Sequence, residues 1–117
     1  MRGVPADLPL QPFVGDSLIQ ISLGEYQLQF HFHRAGSISV EGSWELSDWS
    51  GQLLDHGSRE HREREFYRVH LLLGQSVSQF SINPPKSFTL HFASGNDLTI
   101  FDDSERFESF SVGGYFV

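Results

Sequence analysis

Leu72-Leu73-Gly74-Gln75-Ser76-Val77-Ser78-Gln79-Phe80-Ser81-Ile82 decides the fold, together with Phe88-Thr89-Leu90-His91-Phe92 and Leu98-Thr99-Ile100 that follow it. The chain carries an earlier version of the same pattern. That version reads Val14-Gly15-Asp16-Ser17-Leu18-Ile19-Gln20-Ile21-Ser22-Leu23, then Leu28-Gln29-Phe30-His31-Phe32, then Ile38-Ser39-Val40. Gly15, Ser17, Gln20 and Ser22 meet Gly74, Ser76, Gln79 and Ser81 at one constant spacing, and His31-Phe32 meets His91-Phe92 one residue further on. The single gap falls where Gly24-Glu25 faces Asn83-Pro84-Pro85-Lys86. Turn residues absorb an insertion without disturbing a packed side chain, so the gap lies where a true repeat would place it.

Alternation of apolar and polar residues makes each copy a set of half-buried strands. Ile19, Ile21 and Leu23 form one face of the first strand. Leu28, Phe30 and Phe32 form a face of the second, opposite Gln27, Gln29, His31 and His33, and Ile38 and Val40 continue it. Short turns join the three into a meander with one wet side. Phe80 and Ile82, then Phe88, Leu90 and Phe92, then Leu98 and Ile100 repeat the arrangement. Two meanders of this kind bury their apolar faces against each other, so a mainly β domain is expected, a sandwich or partly closed barrel.

Between the copies the period changes. Phe66, Val69, His70 and Leu73 fall on one stripe of a helix, Glu60 and Arg64 are spaced as a helical ion pair, and Gly74 stands where a helix would end. One connecting helix is therefore expected over 60–73. Proline at positions 5, 9 and 12 marks residues 1–12 as an extended leader. The expected layout is one domain over 1–117: the leader, a first meander over 13–46, loop and helix over 47–73, and a second meander over 74–117. Within the loop, Ser50-Gly51 is the place for a short hairpin, and Trp49 and Leu53-Leu54 are expected to fold back onto the core.

Composition narrows the function classes. The chain has no cysteine, which removes disulfides, thiolate chemistry and cysteine-based zinc sites. Its formal charge is −7, which repels the phosphates of nucleic acid and suits a basic protein partner. Met1 to Phe13 lacks the apolar core of a signal peptide, and no apolar run reaches the length of a membrane span, so a cytoplasmic protein is expected.

Leu72-Leu73-Gly74-Gln75, Leu90-His91-Phe92, and Leu98-Thr99-Ile100-Phe101-Asp102-Asp103-Ser104-Glu105 followed by Glu108-Ser109-Phe110 resemble a family of small bacterial proteins of unknown function. The resemblance covers mainly the second half. It implies a bacterial source and brings no activity with it.

Three constellations bear on chemistry. His31, His33 and His91 have the residue type for a zinc site, although they sit on polar strand faces that sandwich packing turns in opposite directions. Asp102, Asp103, Glu105 and Glu108 form the densest acidic cluster. They suit a turn whose side chains bond the backbone, or a face for a basic partner. Trp44 and Trp49 are each either core or a ligand platform. No nucleophile elbow or phosphate loop occurs, and no cofactor is implied.

The sequence is read as a non-catalytic binding or interaction protein of the bacterial cytoplasm, of the immunity type with an acidic partner-facing surface. One alternative is a metal-dependent hydrolase using the surface histidines or the Asp102-Asp103 turn. The other is a self-associating structural protein; Tyr115-Phe116-Val117 is read first as a final strand packed on its own core and otherwise as the shared face of a homodimer.

Overall fold

The computed structural model describes residues 3–58, 61–62, 64–102 and 110–112, and residues 115–116 by backbone alone. The first copy runs through a 3-10 turn (Gln11–Phe13), then β1 (Leu18–Leu23), β2 (Leu28–Phe32), β3 (Ser37–Val40), β4 (Trp44–Ser47) and β5 (Leu53–Gly57). The second runs through a 3-10 turn (Val69–Leu72), then β6 (Val77–Asn83), β7 (Ser87–Phe92), β8 (Asp97–Phe101), β9 (Phe110–Val112) and β10 (Tyr115–Phe116). Two open antiparallel sheets result, ordered β1-β2-β3-β9-β10 and β5-β4-β8-β7-β6.

The strand order holds a feature that alternation alone does not reveal. Each meander keeps its own three strands, but each copy sends its last hairpin into the other copy's sheet. Trp44 and Leu46 of β4 pair with Ile100 and Leu98 of β8. Phe110 and Val112 of β9 pair with Val40 and Ile38 of β3. Val40 and Ile100 are repeat counterparts, as are Ile38 and Leu98, so the two exchanges are equivalent pair by pair. The structure is thus an interlocked sandwich related to itself by an approximate two-fold axis.

Register confirms the equivalence inside the meanders. Ile21 faces Phe30 as Phe80 faces Leu90, and Gln20 faces His31 as Gln79 faces His91. Both first strands carry a bulge at the same point, between Leu18 and Gln20 and between Val77 and Gln79. The extra residue shifts the phase of the strand. Leu18 and Ile21, three apart, both turn toward the core, while Ile19 and Leu23 are exposed. Strict alternation puts Ile19 on the inner face with Ile21 and Leu23, and the bulge turns it outward. Leu23 stays on the inner side opposite Leu28 and is exposed because it ends an edge strand.

The core fills the space between the sheets. Phe30, Ile38, Trp44, Leu46, Phe88, Leu90, Leu98, Ile100 and Phe110 are each at most 1% exposed. Phe88 meets Phe110 across the sandwich edge to face, with ring centroids 4.9 Å apart, which favours the ring quadrupoles as well as burying area. Trp44 is core and Leu54 packs against the core as expected, whereas Trp49 is 83% exposed and Leu53 is also at the surface, contrary to the expectation that they fold inward. The Ser50-Gly51 hairpin does form, between β4 and β5.

Residues 3–10 are not a loose leader. Val4, Leu8 and Leu10 are buried, and the Val4 amide donates to the carbonyl of Pro85 at 2.9 Å. Leu10 and Phe13 occupy the places that Val69 and Leu72 occupy in the second copy, so both copies share the same buried approach to the meander.

The helix expected over 60–73 is absent among the described residues, apart from the 3-10 turn. Asp55 is the cause. Its Oδ2 accepts the amide of Arg68 at 2.6 Å, a donor that a helix would need for its own ladder. Arg64 is drawn into an ion pair with Asp55 and also donates to the carbonyls of His56 and Phe66. Phe66, expected on the inward stripe, is 68% exposed, and His70 is exposed too.

Gly15 and Gly74 have φ of +85° and +83°, and a Cβ at either would meet nothing within 4 Å. Alanine there costs backbone strain alone, about 1–2 kcal/mol. Gly15→Ala and Gly74→Ala should lower the urea-derived stability by equal amounts; a large difference would contradict their equivalence.

Candidate functional site

The outer, wet face of each meander carries a histidine held by residues on both neighbouring strands. In the first, His31 on β2 bonds Ser22 Oγ of β1 through Nε2 at 2.8 Å and Ser37 Oγ of β3 through Nδ1 at 2.7 Å. In the second, His91 on β7 bonds Ser81 Oγ of β6 through Nε2 at 3.0 Å and Asp97 Oδ1 of β8 through Nδ1 at 2.8 Å. Cross-strand polar pairs of this kind pin three strands together. The sequence pointed to both histidines and missed Ser81, Asp97, Ser22 and Ser37. The signal was the offset itself: Ser22 and Ser81 are counterparts, and so are Ser37 and Asp97.

The two networks differ in one chemical respect. A hydroxyl at Ser37 can donate or accept, so the tautomer of His31 is open. The carboxylate of Asp97 accepts only, which puts the proton of neutral His91 on Nδ1 and leaves Nε2 as the acceptor for Ser81 Oγ–H.

The three candidate histidines are not brought together, in keeping with strand faces turned in opposite directions. His31 and His91 lie on the outer faces of different sheets, and His33 sits past the end of β2, exposed in the turn. Among the described residues no group of three or more His, Asp or Glu side chains is placed to hold a metal ion. Of the acidic cluster, Asp102 is half-buried with its amide donating to the carbonyl of Lys86 at 2.9 Å. Asp103, Glu105 and Glu108 lie outside the described residues.

Asp16, a polar residue inside the first copy of the repeat, turns out to be buried. Its carboxylate accepts the amides of Ser17 at 3.0 Å, Arg34 at 2.8 Å and Ala35 at 2.7 Å. Burial raises its pKa; the amides of Ala35, Arg34 and Ser17, with the nearby His33, outweigh burial and hold the carboxyl below its ordinary 3.8. The role is structural, since it clips the β2–β3 turn to the chain leading into β1. Asp55 has a comparable role on the other side. Its pair with Arg64 is stacked under aromatic rings, with the guanidinium 4.1 Å from the Tyr67 ring centre and 5.5 Å from that of Trp44. Burial raises the Tyr67 phenol; the Arg64 charge opposes that and the Asp55 charge adds to it.

The surface that differs in kind from these polar faces is a groove of about 220 Å³ between β1 and the chain at 67–73. Ile21, Leu23, Tyr67, Val69 and Leu73 line it. Leu23 is 57% and Leu73 45% exposed, so the groove opens apolar surface to water at the edge of a sheet.

Comparison with models of known families, with curated proteins and with solved structures finds no match.

Because the folded pKa of Asp16 is depressed, the unfolded chain takes up its proton first as pH falls. Its contribution is complete above pH ~4 and disappears as pH drops through the lower folded value. Urea unfolding between pH 6 and pH 2 should show a shallower acid loss for Asp16→Asn than for the native chain. Equal slopes would mean that the carboxylate is not held by its three amides.

Proposed function

We propose that the protein is a non-catalytic binding module of the bacterial cytoplasm that engages another protein, the immunity type being the nearest description. The observation that carries the reading is the apolar groove bounded by Leu23 and Leu73. Exposed apolar surface gathered beside an open strand edge is what protein interfaces use, because burying it against a partner supplies the association energy. The charge of −7 favours a basic partner, whose approach it would steer. Asp102, with Asp103, Glu105 and Glu108, supplies the acidic side of the reading.

The test is the identification of what co-purifies with the tagged chain from its bacterial host, repeated with Leu73→Glu. Leu73 is half in water, so a charge there leaves the core intact. A specific partner that binds the native chain and binds the variant at least tenfold more weakly supports the reading, as does weakening by added salt. A partner that binds both equally well overturns the role of the groove. Light scattering on the same samples separates the self-associating alternative, since a homodimer dispersed by Leu73→Glu would place a second copy in the groove.

A further inference from the structure

We propose that Ser81 is a covalent acylation site, a serine activated by His91 and Asp97 to take an acyl group from activated carboxylic esters. The groups stand in the order that nucleophilic serine chemistry requires. Ser81 Oγ lies 3.0 Å from His91 Nε2, and His91 Nδ1 lies 2.8 Å from Asp97 Oδ1. The carboxylate fixes the tautomer, so Nε2 is the free base facing the hydroxyl, and it stabilises the imidazolium formed when the proton moves.

The step balances with no further reagent. Ser81 Oγ attacks the ester carbonyl while its proton passes to His91 Nε2. The tetrahedral carbon collapses, the C–O bond to the alcohol breaks, and His91 returns the proton to the departing oxygen. Ser81 is left as an ester. All three groups are reachable: Ser81 is exposed, and the His91 and Asp97 side chains are 27% and 39% exposed. That openness also sets the limit of the chemistry. An outer sheet face leaves the developing oxyanion to water, without the desolvated cradle that makes serine enzymes fast, so the acyl group stays on once transferred. The site is one of stoichiometric modification, separate from the groove and compatible with a binding module.

The first copy supplies a control within the same molecule. Ser22 is hydrogen-bonded to His31 Nε2 as Ser81 is to His91, but Ser37 replaces the carboxylate. Ser22 is half-buried where Ser81 is exposed, so the carboxylate is isolated by the changes made within each copy, Asp97→Ser and Ser37→Asp.

The experiment incubates the full chain with p-nitrophenyl acetate and maps acetylation over time by peptide mass spectrometry. General base catalysis is worth about 10²–10⁴ in rate, and partial desolvation here places the expectation near its lower end. Ser81 should be acetylated at least tenfold faster than Ser22. Asp97→Ser should slow Ser81 itself, and His91→Gln should remove the advantage. Ser37→Asp should raise the reactivity of Ser22, a gain that a misfolded variant would not give. Equal acetylation of Ser22 and Ser81, acetylation confined to Lys86 or other amines, or a Ser81 rate unchanged by Asp97→Ser would each overturn the proposal.

Discussion

Four backbone hydrogen bonds join the two segments that lead into the meanders, and the rest of the architecture depends on them. Gly15 N donates to Val77 O at 2.7 Å, and Gly74 N donates to Leu18 O at 2.8 Å. Leu18 N donates to Gln75 O, and Val77 N to Asp16 O, both at 3.0 Å. Each bond has its counterpart under exchange of the two copies. At the centre Ser17 Oγ and Ser76 Oγ, themselves counterparts, are 3.3 Å apart. This crossing requires positive φ at both glycines, because the chain must leave the 3-10 turn and reverse within one residue to offer its amide to the other copy.

Once these segments cross, each meander is set face to face with the other, and the exchanged hairpins follow from the need to cover edges. β3 and β8 would otherwise end their meanders as bare edges with unpaired amides and carbonyls. Each is covered by a hairpin from the opposite copy, which brings Trp44 or Phe110 into the core as it does so. The remaining edges of the meanders, β1 and β6, are bulged, a device that discourages further pairing. Neither half can complete its own core, so cooperative folding of the whole chain is built into the connectivity. The functional surfaces inherit this plan: the histidine networks lie on the two outer faces, and the groove lies where the β1 edge meets the connector.

Much of the scaffold was legible because the repeat constrains both copies at once. Gly15 with Gly74, and His31 with His91, fix alignment and facing, and the single gap between Leu23 and Leu28 marks a turn. What escaped was decided by contacts between distant residues. Nothing local tells β4 to pair with β8 instead of β3, because the apolar pattern of Trp44 and Leu46 satisfies either sheet. The stripe Phe66, Val69, His70 and Leu73 is a fair helical signal, but Asp55 takes the Arg68 amide from outside the segment. Asp97 was hidden for another reason. A repeat is recognised by matches, and the residue of chemical interest is where the copies differ, Ser37 against Asp97. The three histidines stay apart as the alternation implied, His31 and His91 facing outward from different sheets. Only the place of His33, past the end of β2 at Phe32, was misjudged, by carrying the strand period one residue too far.

The interlock is tested most directly by native-state hydrogen exchange at the crossing amides. Gly15, Leu18, Gly74 and Val77 should exchange only through global unfolding, with a free energy and urea dependence equal to those of the whole domain. Exchange at a clearly lower free energy, insensitive to urea, would show that the crossing opens locally while the sheets persist. The crossing would then be an accessory to the fold and not the constraint on which it rests.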